Sequence, residues 1–552
     1  LPLAGRQVHR VSESTNLLYN SRMRYIVLIQ RATVAFRLYF VISCASICYG
    51  VPSATWQDFE AARNAGTEPI LPDFSYAGYH YSEIPIPTPA HKVFEVGDFG
   101  AVPNDGQSDR DAIQAAIDAA SHHGSGIIQF PKGRFHLNAL DDASMPIKIS
   151  SSDIILRGSG EGPDGTELYM EKHLDPEDPE KMYSTPFILK IASPNNKESF
   201  ITQVIKSANR ETFTLTVASA DGLKVGQRIT LYLESTDAVE EALAPYSAPA
   251  PWTRLQTDGI VVKERHIIDS IQGNQITFRE PLHTTVNAAH GWEIRSYNVI
   301  EEVGIEDIHF VGNWKGDFIH HRSALDDGGW SGIKMENVAN SWIRRCTFTD
   351  WNYCIALRSS AGVSVLQVTM QGNKGHYSAH SRGGYGTLFG LIRDTTASFH
   401  GPSVGYQSVG TVYWNYKFEA STTWDSHSGL PYATLLDCVE GGIMYGRSGG
   451  PLVGLPNHWR HFVMWNFKHT GPTQTDYDFW RKEDKKRDRY LRPIIVGLHG
   501  HRTSFNEANL QLIESHGAAV SPRSLFESQL SLRIGELPEF LQLMKQQWES
   551  QQ

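Results

Sequence analysis

The pattern of apolar and polar positions is most informative at residues 93–135. Alternation at 93–95, followed by a Gly-, Asp- and Asn-rich stretch, predicts a short β-strand and a turn. The next segment carries apolar residues at three- and four-residue spacing, at Ile113, Ala116, Ile117 and Ala120. This spacing predicts an amphipathic helix, which Asp109 or Asp111 is placed to cap. A strand is predicted next, at 126–130.

From residue 299 onward, strand-like segments recur at a steady interval. They are predicted at 305–310, 342–348, 363–370, 388–394, 412–418 and 433–439. Their ends are Phe348, Met370, Asp394, Phe418 and Val439, which are 22, 24, 24 and 21 residues apart. An interval of this length is typical of one turn of a three-sided β-helix.

Residues 199–298 have a different pattern, in which apolar and polar residues alternate as in half-exposed antiparallel strands. We therefore expect an antiparallel β-domain here, inserted between two parts of a β-helix at 93–198 and 299–500. Residues 51–92 form a Pro- and aromatic-rich arm. Residues 501–552 are expected to form a helical extension, with helices at 507–517 and 524–551.

The block at 93–135 resembles the opening of the right-handed parallel β-helix proteins of the pectate-lyase-like superfamily. In that family such a helix covers the open N-terminal end of the apolar core. The resemblance implies a mainly β fold, namely a right-handed parallel β-helix with an N-terminal capping helix, and a carbohydrate-active protein. It implies that Ca²⁺ could take part, although no cofactor is required and no compact Asp-rich loop indicates a calcium site.

Composition and charge exclude some classes of partner. The chain has 552 residues and a formal charge of −10, which argues against nucleic-acid binding but does not select a substrate. Residues 23–50 are predicted to be a signal peptide, with leader sequence at 1–22, so we expect a secreted protein with no membrane segment after cleavage. Three cysteines would remain, too few for a disulfide framework. The protein is predicted to be a monomer.

The β-helix interval allows residues on successive turns to be projected onto one another. Residues that follow successive strand ends by similar numbers of positions are expected to stack in one column. One such column contains Arg358, His380, Arg382, Tyr406 and His427. A second column contains His376 and His400. Clustered ionisable side chains are unusual on a solenoid face, although His380 could simply cap a turn and Tyr406 could simply pack.

These side chains suit β-elimination on a uronate polymer. The reaction needs a cation to neutralise the C5 carboxylate, a base for the C5 proton and an acid for the leaving oxygen. Arg382 could supply the charge and Tyr406 the acid. Either His400 or His427 could be the base, and the sequence leaves that choice open. His380 completes the predicted catalytic set, and Arg358 is predicted to bind substrate.

A second region dense in aromatic and ionisable residues lies at 422–461. Trp424 and Trp459 are candidates for stacking on pyranose rings. Hydrogen bonds to hydroxyl, carboxylate or sulfate groups are expected from Asp425, His458, Arg460 and His461. His458 and His461 lack the helical spacing of a metalloprotease site, so no metal site is predicted.

Two other functions compete with a lyase. Asp326 and Asp327 could form the acid/base pair of a glycoside hydrolase of the polygalacturonase-like β-helix type, although an Asp-Asp pair before Gly-Gly is more often a turn. A non-catalytic carbohydrate-binding β-helix is the third alternative. The sequence favours a secreted lyase whose partner is an anionic, uronate-containing polysaccharide.

Overall fold

The computed structural model of the chain describes residues 50–443, 448–480 and 488–551. The predicted leader (1–22) and signal peptide (23–50) lie outside the described residues, apart from Gly50. Seven α-helices are described: α1 Ala54–Ala65, α2 Arg110–His123, α3 Val239–Leu243, α4 Thr253–Thr257, α5 Ala324–Gly328, α6 Leu525–Ile534 and α7 Glu539–Ser550.

The body of the molecule is a parallel β-helix, which confirms the predicted fold class. Its largest sheet, sheet A, has 18 strands that pair in parallel. They are Val93–Glu95, Gly126–Gln129, Gly133–Asn138, Ile154–Arg157, Thr166–Met170, Ile300–Glu301, Gly304–Val311, Val338–Thr349, Ala361–Gln371, Leu388–Asp394, Val409–Phe418, Tyr432–Asp437, Glu440–Gly441, Phe462–Trp465, Lys468–His469, Ile494–Val496, His499–Gly500 and Leu512–Glu514.

A second parallel sheet, sheet B, forms another face of the coils and has seven strands. They are Ile147–Ile149, Leu189–Ala192, Ser331–Glu336, Tyr353–Arg358, Tyr377–Arg382, Ser403–Gly405 and Asp425–Ser426. Two short parallel pairs complete the coils, Val51–Pro52 with Val520–Ser521 and Gln474–Tyr477 with Thr503–Phe505. Apolar side chains from both sheets fill the interior.

The predicted register holds over four successive turns. Phe348 pairs with Met370, Met370 with Asp394, and Asp394 with Phe418. The fifth predicted position is wrong: Lys417 pairs with Glu440, which leaves Val439 two positions short of the column. The interval in that turn is 23 residues throughout, since Trp414 pairs with Asp437 just as Lys417 pairs with Glu440.

Five consecutive long strands of sheet A each contain a residue in the left-handed region at the same position of the coil. Asp307, Arg345, Gln367, Leu391 and Asn415 have φ values between 49° and 62° and lie one above another, because the residues on either side of them pair directly. This conformation costs roughly 1–2 kcal/mol for a residue with a Cβ atom. The hydrogen bonds to the coils above and below hold it in place.

Helix α2 covers the N-terminal end of the core with the predicted face. Ile113, Ala116, Ile117 and Ala120 are all buried there. The predicted cap is wrong in detail: Asp109 occupies the N-cap position, but its carboxylate accepts from the backbone N–H groups of Val102 and His136 instead of from the helix. Asp109 therefore joins the helix entry to the first coil.

The predicted insertion is an antiparallel sheet, sheet C. Its six strands are Phe200–Gln203, Thr214–Thr216, Arg228–Ser235, Ile260–Gln272, Gln275–Phe278 and Glu293–Ser296. Tyr432 of the coils donates to Glu264 (Oη–Oε1 2.7 Å), and Tyr385 donates to the carbonyl of Pro281 (3.2 Å). An apolar cluster shared by sheet C and the coils reinforces these contacts.

The C-terminal segment is only partly helical. Helices α6 and α7 agree with the prediction for 524–551, but the predicted helix at 507–517 is wrong. Leu512–Glu514 is instead a strand that pairs with Ile494–Val496 and adds a final rung to sheet A. This strand has only three residues, too few to show an alternating pattern in the sequence. Pairing with the preceding coil therefore decides its structure.

Candidate active site

Five of the predicted residues line one cavity of about 520 Å³, which we call the coil cavity. It lies over the ends of the sheet B strands, with walls from the loops near Tyr183 and His320. The five are Arg358, Arg382, His400, Tyr406 and His427. The predicted columns therefore bring these side chains together.

The two arginines are held by strand register. Arg358 pairs with Arg382, and Arg382 pairs with Gly405, so the arginines lie one coil apart on the same face. The Nε atoms of both arginines are buried and have no hydrogen-bond partner among the described residues. Tyr406, with φ 42°, follows directly, and its ring lies 5.2 Å from the Arg382 guanidinium. The wall is strongly cationic and suited to an anion.

His427 is oriented by a buried carboxylate. Its Nδ1 lies 3.1 Å from Asp425 Oδ2 and 2.8 Å from the Tyr377 hydroxyl. The backbone N–H of Gly449 donates to the other oxygen of Asp425 (2.5 Å). When Nδ1–H donates to the Asp425 carboxylate, Nε2 keeps its lone pair, which is the arrangement of a general base.

His376 and His400 are more deeply buried in the same wall. Burial, together with neighbouring imidazoles, lowers the pKa of both side chains well below the usual value. The His376 Nδ1 lies 3.0 Å from the carbonyl oxygen of Asp327. The His400 ring stacks on Tyr377, with ring centres 4.5 Å apart. Both imidazoles are therefore neutral and fixed.

Tyr353 and Tyr377 also line the coil cavity, and sequence reasoning missed them. They pair in register, their rings stack at 4.9 Å, and Tyr377 hydrogen-bonds to both His427 and Arg382. Their 24-residue separation equals the coil interval, which was the available signal.

Four other predictions at this site need correction, because burial removes the side chains from the cavity. His380 is 0% exposed and bonds to Ser403 (Nδ1–Oγ 2.7 Å). Trp424 packs inside the coils against Tyr413, so it cannot stack on a sugar. His458 bonds to the hydroxyl of Thr434. Asp425 is fully buried and holds His427 rather than substrate.

Three predicted substrate-binding residues line a different cavity of about 570 Å³, between sheet C and the coils, which we call the sheet C cavity. Trp459 is 5% exposed and donates to the carbonyl of Ala242. Arg460 donates to the same carbonyl, and burial lowers its pKa. His461 is half-buried beside them. These three predicted substrate-binding residues therefore line the sheet C cavity and not the coil cavity.

The two adjacent aspartates occupy different environments. Asp326 is bonded to Arg322 and Ser323, which lower its pKa against the effect of burial. Asp327 lines the coil cavity, and there burial raises the pKa despite hydrogen bonds from His321. They lie in helix α5, so they are part of a helical turn, and Asp327 alone faces the cavity.

Two groups of side chains among the described residues have metal-ligand spacing. They are His320 with His376 and His400, and His400 with Asp425 and His427. Nitrogen-rich groups do not suit Ca²⁺, which prefers oxygen ligands. Calcium dependence thus stays a prediction.

Comparison with known proteins gives partial matches. A family model described as "Domain of unknown function (DUF4955)" matches residues 397–544, which include His400, Tyr406 and His427. Alginate lyase 7 of Azotobacter vinelandii is 41% identical over 69 residues, 12% of this chain and 8% of that protein. Mannuronan C5-epimerase AlgE1 of the same organism is 34% identical over 106 residues, 19% of this chain and 7% of that protein. The matches thus span under a tenth of each relative.

Solved structures with alignments over most of the chain have low identity. The tailspike protein gp49 of Pseudomonas phage LKA1 is 13% identical, with a TM-score of 0.37 over 77% of this chain and 81% of that one. The exopolygalacturonase of Thermotoga maritima is 12% identical, with a TM-score of 0.31 over 80% of this chain and 94% of that one. The strand pairing described above establishes the β-helix independently of these alignments. No helix among the described residues is both long and apolar enough to span a membrane.

Proposed function

We propose that this protein is a polysaccharide lyase that cleaves a uronate-containing polymer in the coil cavity by β-elimination. The observation that carries the proposal is the pairing of two stacked arginines with a carboxylate-oriented histidine in one cavity. A cationic wall without a base would bind an anion only. A base without the cationic wall would lack the charge that acidifies the C5 proton.

The residues divide into three roles. Arg382 and Arg358 bind the C5 carboxylate and stabilise the negative charge that develops on it. His427 Nε2 takes the C5 proton, while Asp425 and Tyr377 hold the imidazole. The electron pair forms the C4–C5 double bond, the C4–O bond breaks, and the leaving oxygen takes a proton from the Tyr406 hydroxyl.

Of the two histidines predicted as the base, His427 is favoured by its accessibility. Its side chain is 17% exposed, whereas that of His400 is 3% exposed. A base must reach the proton that it removes. His400 instead packs behind Tyr377 and is assigned no proton transfer.

The relatives suggest the first substrate to test. Alginate lyase and mannuronan C5-epimerase, by their names, act on uronate polymers, and the epimerase acts at the carbon that β-elimination deprotonates. We therefore propose alginate or a related polyuronate as the substrate. Secretion, predicted from residues 23–50, belongs to the same proposal, since such a polymer lies outside cells.

A glycoside hydrolase is the second candidate, because Asp327 lines the coil cavity and burial raises its pKa, as expected for a general acid. An inverting or retaining hydrolase needs a second carboxylate that faces the substrate. Asp425 is buried beneath His427, so it does not supply one.

A panel of polymers separates these reactions. Alginate, polygalacturonate, glycosaminoglycans and a neutral glucan would be incubated with the protein, and ultraviolet absorbance of unsaturated uronate and new reducing ends would both be followed. A lyase produces both signals in equal amounts on a uronate polymer only. Reducing ends without absorbance would favour hydrolysis through Asp327, and binding without cleavage would favour a carbohydrate-binding protein. His427→Ala and the control His290→Ala, at the sheet C cavity, would show whether the signal arises in the coil cavity.

A further inference from the structure

Three imidazoles converge in one wall of the coil cavity without a carboxylate between them. The ring centres of His320, His376 and His400 form a nearly equilateral triangle, with sides of 5.2, 5.3 and 5.3 Å. One nitrogen from each ring lies within 4.8 Å of the others.

The triangle has the dimensions of a three-histidine zinc site. With Zn–N bonds near 2.0–2.1 Å and tetrahedral angles, ring centres lie about 3.2 Å from the ion and about 5 Å from one another. The ligand nitrogens would then be about 3.3 Å apart, which a small rotation of each ring would achieve. The rings are thus already at the separation that the ion requires.

Neighbouring groups orient two of the rings in the way that hydrogen-bond partners orient metal-ligating histidines. The His376 Nδ1 lies 3.0 Å from the carbonyl oxygen of Asp327, so Nδ1–H donates and Nε2 keeps its lone pair. The His400 Nδ1 is buried, makes no hydrogen bond within the part of the chain that the structure describes, and lies 3.3 Å from Asp425 Oδ2. A carboxylate behind a ligating histidine is a common outer partner.

The loop that carries His320 is anchored by aromatic packing. His320 stacks on Phe399, with ring centres 4.2 Å apart, and Phe318 stacks on His376 at 5.5 Å. Through these contacts, Phe318 and His320 of the segment 312–323 pack against His376 and Phe399 of the coils. Packing therefore holds the His320 side chain in its place in the cluster.

We propose that His320, His376 and His400 bind a divalent transition-metal ion, with zinc as the best fit to three imidazole nitrogens. All three residues line the coil cavity, so the fourth coordination position faces the cavity. An open position is the feature that separates catalytic zinc sites from closed structural ones. The second group, Asp425 with His427 and His400, is accounted for by the hydrogen bonds of His427 and is not assigned an ion.

Metal binding can be measured without any substrate, so the outcome is independent of the lyase proposal. The full chain would be dialysed against a chelator and titrated with Zn²⁺ by calorimetry, and the visible spectrum of the Co²⁺ form would report the ligand geometry. His320→Phe keeps the aromatic stacking but removes a ligand, and His290→Phe, in the turn 288–290 at the sheet C cavity, is the matched control. Circular dichroism and thermal unfolding would check that each variant is folded.

We expect one zinc ion per chain in the wild type and in His290→Phe, with at least about 100-fold weaker binding in His320→Phe. The Co²⁺ spectrum should be that of a tetrahedral, nitrogen-rich site. Absence of zinc binding by the wild type would overturn the proposal. Equal affinity in His320→Phe would also overturn it, as would loss of binding in His427→Ala alone, which would assign the ion to the second group.

Discussion

The coil cavity and the sheet C cavity are similar in size and both contain histidines and arginines, but their charges are balanced differently. In the sheet C cavity, Arg210 bonds to Glu68 and Glu211, and His283 lies 3.2 Å from Glu211. In the coil cavity, no carboxylate among the described residues is bonded to the cationic wall of Arg358 and Arg382. Balanced charges join parts of the fold, whereas the unbalanced wall suits an anionic ligand.

The histidines show the same contrast. Burial alone would lower the pKa of His283, but Glu211 raises it above the usual value. His458, buried in the coils without a carboxylate, has its pKa lowered to about 3. For these two buried imidazoles, the carboxylate beside His283 accounts for the opposite directions of the pKa shifts.

The largest expected effect is that of His427→Ala. Loss of a general base should lower kcat on the cleaved polymer by about 10³-fold with little change in KM. His290→Ala, at the sheet C cavity, should retain the wild-type rate. Initial rates of absorbance increase measure both. Full activity in His427→Ala would show that the base is another residue.

Glu211→Gln tests the structural role of the sheet C cavity. The change leaves Arg210 and His283 buried without their shared carboxylate, so the free energy of unfolding should fall by about 3 kcal/mol. Denaturant unfolding measures this loss, and kcat/KM should stay at the wild-type value because the coil cavity is unaltered. An unchanged unfolding midpoint would contradict the assigned role.

Arg382→Ala should lower kcat/KM by about 100-fold, because it removes charge that stabilises the transition state. Arg382→Lys keeps the positive charge but cannot make bidentate hydrogen bonds, so its activity should lie between those of Arg382→Ala and the wild type. Arg295→Ala on sheet C is the control for loss of an arginine. If Arg382→Ala cleaves at the wild-type rate, the cationic wall has no part in the reaction.

The smallest effect concerns pH. His458 has a pKa of about 3 in the folded chain, against about 6.5 when unfolded, so only the unfolded chain binds the proton at pH 5. The wild type should therefore lose about 2 kcal/mol between pH 6.5 and 5, relative to His458→Gln. The pKa of His283 is raised, so its contribution is complete below pH 6.5 and is lost as pH rises through the raised value. Unfolding curves of wild type, His458→Gln and His283→Gln, measured from pH 5 to well above pH 6.5, would show the His458 effect on the acid side and the His283 effect, of opposite direction, on the alkaline side.

The coil register was predictable where the chain repeats itself. Phe348, Met370, Asp394 and Phe418 are one coil apart in the sequence and pair directly in the sheet. The left-handed positions were not predictable, because residues such as Arg345 and Leu391 have no local preference for a positive φ. Hydrogen bonds from neighbouring coils impose that conformation.

The candidate site was predictable to the extent that it follows the coils. Arg358 and Arg382 come together through register alone. His320 lies on a loop outside the repeat, so no spacing relates it to His376. Trp424 and Trp459 lie in polar stretches that resemble a sugar-binding surface, but both rings point inward. Whether a side chain is exposed depends on the face on which it lies, and the sequence of a short strand does not reveal that face.

The sequence by itself determined the architecture, because the apolar face of helix α2, the interval between coils and the alternation in sheet C are local or periodic patterns. It also placed five polar residues of the coil cavity, since residues one interval apart must stack. Only the tertiary structure decided which ionisable groups have carboxylate partners and which imidazoles converge, as with Asp425 beneath His427. Such pairings join residues from different coils and loops, and their energies depend on burial and distance, which the order of residues does not contain.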